Sequence, residues 1–117
     1  MQLAQPGPIV SVPATTALEA NRCVGIAGTY EADKRPLGVT QAKYASGEMA
    51  ALQTSGIVVV EAGGGITAGD MVKVDAAGKV VTHTAGVTYT ATDLEKLAGR
   101  AIDTASGDGI FIRVKLV

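Results

Sequence analysis

The chain has 117 residues, enough for one domain, with 15 glycines, 3% aromatic residues and no Trp. A net charge of −1 with both signs scattered excludes the clustered Lys and Arg that a nucleic acid or an anionic membrane surface requires. The single Cys23 excludes an intramolecular disulfide, and no run approaches the roughly 18 apolar residues of a membrane span.

Much of the 47% hydrophobic fraction is alanine, and Phe111 is the one Phe. The core must therefore come from Val, Ile and Leu, each worth about 1.5–3 kcal/mol when buried. A core this thin points to support from partner subunits. The first residues, MQLAQPGPIV, lack the basic and apolar regions of a secretory leader, so a soluble cytosolic product is expected.

Residues 1–13 hold three of the four prolines, Pro6, Pro8 and Pro13. Proline removes a donor and extends the residue before it, so this segment reads as an extended N-terminal arm. Within it, residues 9–12 (IVSV) are a candidate edge strand. Leu3, Ile9, Val10 and Val12 make the arm apolar. It is either a frayed terminus or a strap that orders on a partner.

Residues 14–117 read as a single β-rich domain. After a weakly patterned stretch to Asn21, residues 22–27 read as a strand ending at Gly28, with Cys23 as a small buried hydrophobe. A polar turn follows over 29–36, then a loosely alternating segment, the turn Ala45-Ser46-Gly47-Glu48, and residues 49–53.

The densest signal lies between Ser55 and Thr82. A β-branched run at 57–60 breaks at Gly63-Gly64-Gly65, a second strand spans 71–75, and Asp75-Ala76-Ala77-Gly78 turns into a third over 79–82. The Asp75 carboxylate can hydrogen-bond the backbone two residues on, and Gly78 supplies φ > 0, the chemistry of a hairpin ending in a bulge. Thr92-Asp93-Leu94-Glu95 fits a capping box and predicts a short helix over 93–97, limited by Gly99.

The last strand, 110–116, places Ile110, Ile112, Val114 and Leu116 on one face and Phe111, Arg113 and Lys115 on the other. The turn at 45–48 is echoed by Ala105-Ser106-Gly107-Asp108, each followed by an apolar run. Short strands with glycine turns predict an all-β fold with minor α: a β-sandwich or β-barrel, one short helix and the extended arm.

No catalytic constellation is visible. His83 is the only histidine and reads as an exposed structural residue, without a G-x-S-x-G elbow. One His and one Cys do not make a zinc site. GGGITAGD lacks the Lys-Ser/Thr of a phosphate loop. The carboxylates Glu61, Asp70 and Asp75 lie near turns rather than paired in an apolar pocket. The expectation is therefore no enzyme, no cofactor, no metal, no nucleic acid and no membrane.

The order of these turns carries a resemblance. Leu37-Gly38-Val39, Ser46-Gly47-Glu48, Ser55-Gly56-Ile57-Val58, Ile66-x-x-Gly69-Asp70-x-Val72, Asp75-Ala-Ala-Gly78-Lys79-Val80 and the Ala105-Ser106-Gly107-Asp108 turn with its alternating strand resemble the capsid decoration (cement) proteins of tailed bacteriophages. The resemblance covers residues 22–117. It implies a structural virion protein, made in the host bacterial cytoplasm. It also implies binding to the major capsid protein on the outer face of an expanded capsid, where a homotrimer braces neighbouring capsomers. The arm has no family motif. Its apolar character makes Leu3, Pro6, Pro8, Ile9, Val10 and Val12 the expected capsid-contacting residues. A competing reading is a lipoyl or biotinyl carrier or another small β-barrel binding module. Against a carrier, Lys73 is mid-strand and Lys79 lacks the flanking pattern of a modified lysine.

Overall fold

A computed structural model describes residues 9–83 and 96–116. In chain order the described strands are β1 (Ile9–Pro13), β2 (Cys23–Val24), β3 (Gly38–Thr40), β4 (Met49–Gln53), β5 (Ile57–Glu61), β6 (Met71–Val74), β7 (Val80–Thr82), β8 (Leu97–Ala101) and β9 (Phe111–Leu116). They form two sheets, ordered β1-β4-β3-β2 and β5-β9-β8-β6-β7, with every strand pair antiparallel. The fold is all-β.

Alternation builds the five-stranded sheet. Val58 and Val60, Val72 and Val74, and Ile112 and Val114 are buried, while the residues between them are exposed or half-buried. That is the period of a strand with one face in a core. The β6–β7 hairpin has the expected chemistry. The Asp75 carboxylate accepts from Ala77 N at 2.9 Å and Lys79 N at 3.0 Å, and Gly78 has φ 78°. Just past β5, Ala62 bridges Val80 in parallel and Gly63 N donates to the Val80 carbonyl at 2.8 Å. The two edges of this sheet thus meet, and it curls around its own core.

The four-stranded sheet has a smaller core of Ala14, Leu18, Val24, Ala50 and Leu52, with Val12, Tyr30, Leu37 and Tyr44 packed against it. Its strand β2 is buried on both sides. Cys23 joins the core of the five-stranded sheet together with Val39, whereas the next residue, Val24, joins the smaller core. Successive strand residues point to opposite faces, so two residues suffice to knit the cores together. Backbone bonds add to this: Cys23 N donates to the Gly78 carbonyl at 2.7 Å, and Glu61 N to the Asn21 carbonyl at 3.0 Å.

Several expectations change. The candidate edge strand at 9–12 does form, as Ile9–Pro13 paired along its whole length with β4, but this makes the described end of the arm part of the domain rather than a segment outside it. Of the helix expected over 93–97, residues 93–95 lie outside the described set, Lys96 is helical, and Leu97 opens β8. Gly99 does not end a helix; it lets β8 approach β9, where a Cβ would collide with the backbone of Lys115. His83 is buried rather than exposed, because its N–H continues the hairpin by donating to the Met71 carbonyl at 2.8 Å. Ile110 stands outside the strand and is exposed.

The echo between 45–48 and 105–108 is one of composition. Gly47 has φ 92° in the first turn, but in the second the left-handed residue is Gly109, at φ 86°, rather than Gly107. The closer geometric match to 45–48 is 67–70, where Gly69 has φ 95°. In both, an acid at the fourth position accepts from the first backbone N–H: Glu48 from Ala45 at 2.6 Å and Asp70 from Thr67 at 3.0 Å.

Candidate interaction surfaces

Charged side chains gather where the sheets meet. Arg22, just before β2, donates from Nε and Nη2 to Oε1 of Glu61 at 3.3 and 3.2 Å, and from Nη1 to the Ala77 carbonyl at 2.9 Å. Lys79 Nζ lies 3.1 Å from the other Glu61 oxygen and 2.9 Å from Asp108. Burial alone pushes the Glu61 carboxyl up. Hydrogen bonds from Lys79 and Arg22, with their charges, outweigh it and bring the group below its ordinary value. Lys79 is held up by its hydrogen bonds to Asp108 and Glu61. This network is a fastener between elements distant in sequence.

It also bears on the carrier reading. Lys79 is engaged by two carboxylates, and Lys73 sits in β6 within 3.0 Å of Asp33. Neither presents a free amine at a hairpin tip. Cys23 is fully buried, and burial, then the nearby Asp75 charge, pushes its thiol up to about 12, which leaves it inert as a nucleophile. No group of three or more His, Cys, Asp or Glu among the described residues is placed to hold a metal ion.

The exposed apolar side chains fall into three places. On the edge strand β1, Ile9 and Val10 are exposed opposite Gln53 and Leu52 of β4, and exposed Met49 lies at the other end of the pair, opposite Pro13. On the outer face of the five-stranded sheet, Ile57 and Val59 of β5 are exposed, and Phe111 of β9, diagonal to Val59, is 57% exposed. The one Phe of the chain is thus on the surface, where burying it needs a partner. Ile26 stands at the β2–β3 loop, beside a groove of about 430 Å³ walled by Glu31, Lys34, Arg35, Pro36 and Leu37.

Of the residues expected to contact a capsid, Leu3, Pro6 and Pro8 lie outside the described residues. Ile9 and Val10 are exposed, and Val12 is half-buried against the smaller core. Sequence reasoning passed over the outer face of β5 and β9 as an interaction surface. The signal was present in the alternation itself, since Ile57, Val59 and Phe111 occupy the positions that a solvated face gives to polar residues.

These features define a two-sheet β protein whose charged cluster fastens its own halves together and whose apolar residues look outward. Residues 4–116 match the phage cement protein family, and the chain belongs to that family. It is a structural component of a phage virion that associates with the capsid. The N base of head fiber gp8.5 of bacteriophage phi29 has a similar structure, with a TM-score of 0.71 and 15% identity over 94% of this chain and 93% of that one. That likeness is one of fold. No curated protein matches the sequence.

Proposed function

We propose that this chain is a capsid decoration subunit. It binds the outer surface of the expanded capsid through the major capsid protein, sits there as a homotrimer, and braces neighbouring capsomers. It does so without catalysis, after synthesis in the host bacterial cytoplasm. The observation that carries this reading is the family match across nearly the whole chain. The fold shared with a head-fiber base supports it, as do the outward apolar residues on a domain with a thin core. The arm adds a strap: Ile9 and Val10 lie open on the edge strand, with Leu3, Pro6 and Pro8 before them, while Val12 anchors the strand to the smaller core. Avidity over a repeating shell offsets the entropy of ordering such a segment.

The experiment is decoration of capsids from a parent phage deleted for this gene. Added protein should co-sediment at a fixed ratio to the major capsid protein and delay heat-induced release of DNA. Light scattering on the free protein should give the trimer mass. Removing residues 1–8 should leave the melting temperature unchanged and weaken decoration. Protein that stays in the supernatant would end the reading.

A further inference from the structure

Resting on the capsid-binding reading above, we propose that the outer face of β5, β9, β8 and β6 is the surface that seats on the shell. Its ligand would be a carboxylate-bearing, apolar-flanked protein surface, recognised through Arg100 and Lys115.

The strand register aligns one row of side chains across four strands. Ile57 faces Lys115, Lys115 faces Arg100, and Arg100 faces Met71. Arg100 and Lys115 are exposed and line a groove of about 430 Å³ with Met71 and Leu116. Val59 and Phe111 extend the apolar border on the same face. Like charges directly opposite one another on a sheet destabilise it. Among the described residues neither cation has an acidic partner to offset the repulsion.

Most other cations of the chain are treated differently. Arg22, Lys34, Lys43, Lys73, Lys79 and Arg113 each lie within 4 Å of a carboxylate. On the same face Arg113 is clamped by Asp103, with Nε and Nη2 at 2.9 and 2.8 Å from its two oxygens. An arrangement that neutralises its neighbours but leaves two facing cations open between apolar side chains is complementary to an external carboxylate.

A second copy of this chain fits poorly as the occupant. Every acid among the described residues is already engaged: Glu48, Asp70 and Asp75 accept turn N–H groups, and the others sit in ion pairs. Two open cations on a chain of net charge −1 are also far from the basic stripe that nucleic acid needs. The partner that complements this face is an acidic patch on the shell, steered by charge and held by burial of Ile57, Val59 and Phe111.

The test separates binding from folding. In Arg100→Glu the new carboxylate faces Lys115, so the melting temperature should rise by about 2 °C. Affinity for capsids of the gene-deleted parent phage should fall about tenfold or more. Lys115→Glu should lose affinity likewise, Arg100→Gln should weaken binding with the shape retained, and Arg100→Lys should keep most of it. Wild-type decoration should weaken as salt rises. If both charge reversals decorate as wild type does, the seat lies elsewhere while the capsid-binding reading stands. If wild type itself fails to decorate, both fall. Loss of self-association in the reversals, with shell binding intact, would make the face a contact between copies and overturn the proposal.

Discussion

The two sheets solve the same problem with different resources. The five-stranded sheet buries β-branched residues from hairpin-linked strands and closes edge to edge at Ala62 and Val80. The four-stranded sheet gathers strands as short as two residues, and much of its core comes from loop residues such as Leu18, Tyr30 and Tyr44. One is held by local pattern and the other by long-range docking. The consequence is an asymmetric domain in which the smaller sheet leans on the larger through Cys23, Val39 and the Arg22–Glu61 contact. The smaller sheet also carries the arm, so an attached element rests on the less self-sufficient half.

Core truncations test this asymmetry with the largest expected effect. Ile112→Ala should cost about 3–5 kcal/mol, since Ile112 is buried in the larger core and its neighbours are stiff valines that cannot collapse into the void. Leu52→Ala should cost about 2–3 kcal/mol, because a small core bordered by half-buried tyrosines relaxes more readily. Both should unfold in one transition by urea melts, as shared residues couple the sheets. Two transitions in Leu52→Ala, or equal costs, would undo the comparison.

The next effect falls on the hinge between the halves. Gly78 has φ 78°, and a Cβ there would run into the Tyr30 ring and approach the Cys23 carbonyl at 3.0 Å. Gly78→Ala therefore meets both backbone strain and a clash with the other sheet, and should cost about 2 kcal/mol. The same substitution at Gly47, also left-handed at φ 92° but with nothing near its Cβ, isolates the strain and should cost about 1 kcal/mol. Equal melting temperatures for the two variants would mean that Tyr30 does not press on the hairpin.

The halves also differed in how openly the sequence spoke. β5, β6, β7 and β9 were readable because a half-buried strand alternates and because Asp75 and Gly78 advertise their turn. β8 was not, since Leu97-Ala98-Gly99 is buried on both faces and carries no period. Likewise Gly38–Thr40 is buried throughout, so β3 shows no alternation. Thr40 hides in the core by bonding the Glu19 carbonyl at 2.7 Å, a partner no local pattern can reveal. The family emerged from the order of turns. The outer face did not, because its meaning depends on Arg100 lying beside Lys115, residues that only strand pairing brings together.

The smallest effect concerns the charges and has a defined pH signature. Glu61 joins the sheets and is held below its ordinary carboxyl value, 4.5. A group whose folded value is depressed stabilises the fold fully above its unfolded value and loses that contribution as pH falls through the folded one. Glu61→Gln should therefore cost about 1 kcal/mol near pH 7, a modest figure because solvent still screens the pair. The gap to wild type should narrow as pH falls below 4.5. Asp103 offers the contrast. Hydrogen bonds from the Arg113 side chain and backbone hold it at about 2, yet it lies on the outer surface and ties β9 only to the loop before it. Its contribution is present above 3.8 and lost on the way down to about 2, so its loss begins at lower pH than that of Glu61, which begins below 4.5. Urea melts of Glu61→Gln and Asp103→Asn at pH 7, 5 and 3 read this directly. The gap between Glu61→Gln and wild type should begin to narrow below 4.5 and that of Asp103→Asn only below 3.8. Convergence in the opposite order would place the acid-sensitive joint on the outer face of the larger sheet instead of between the two.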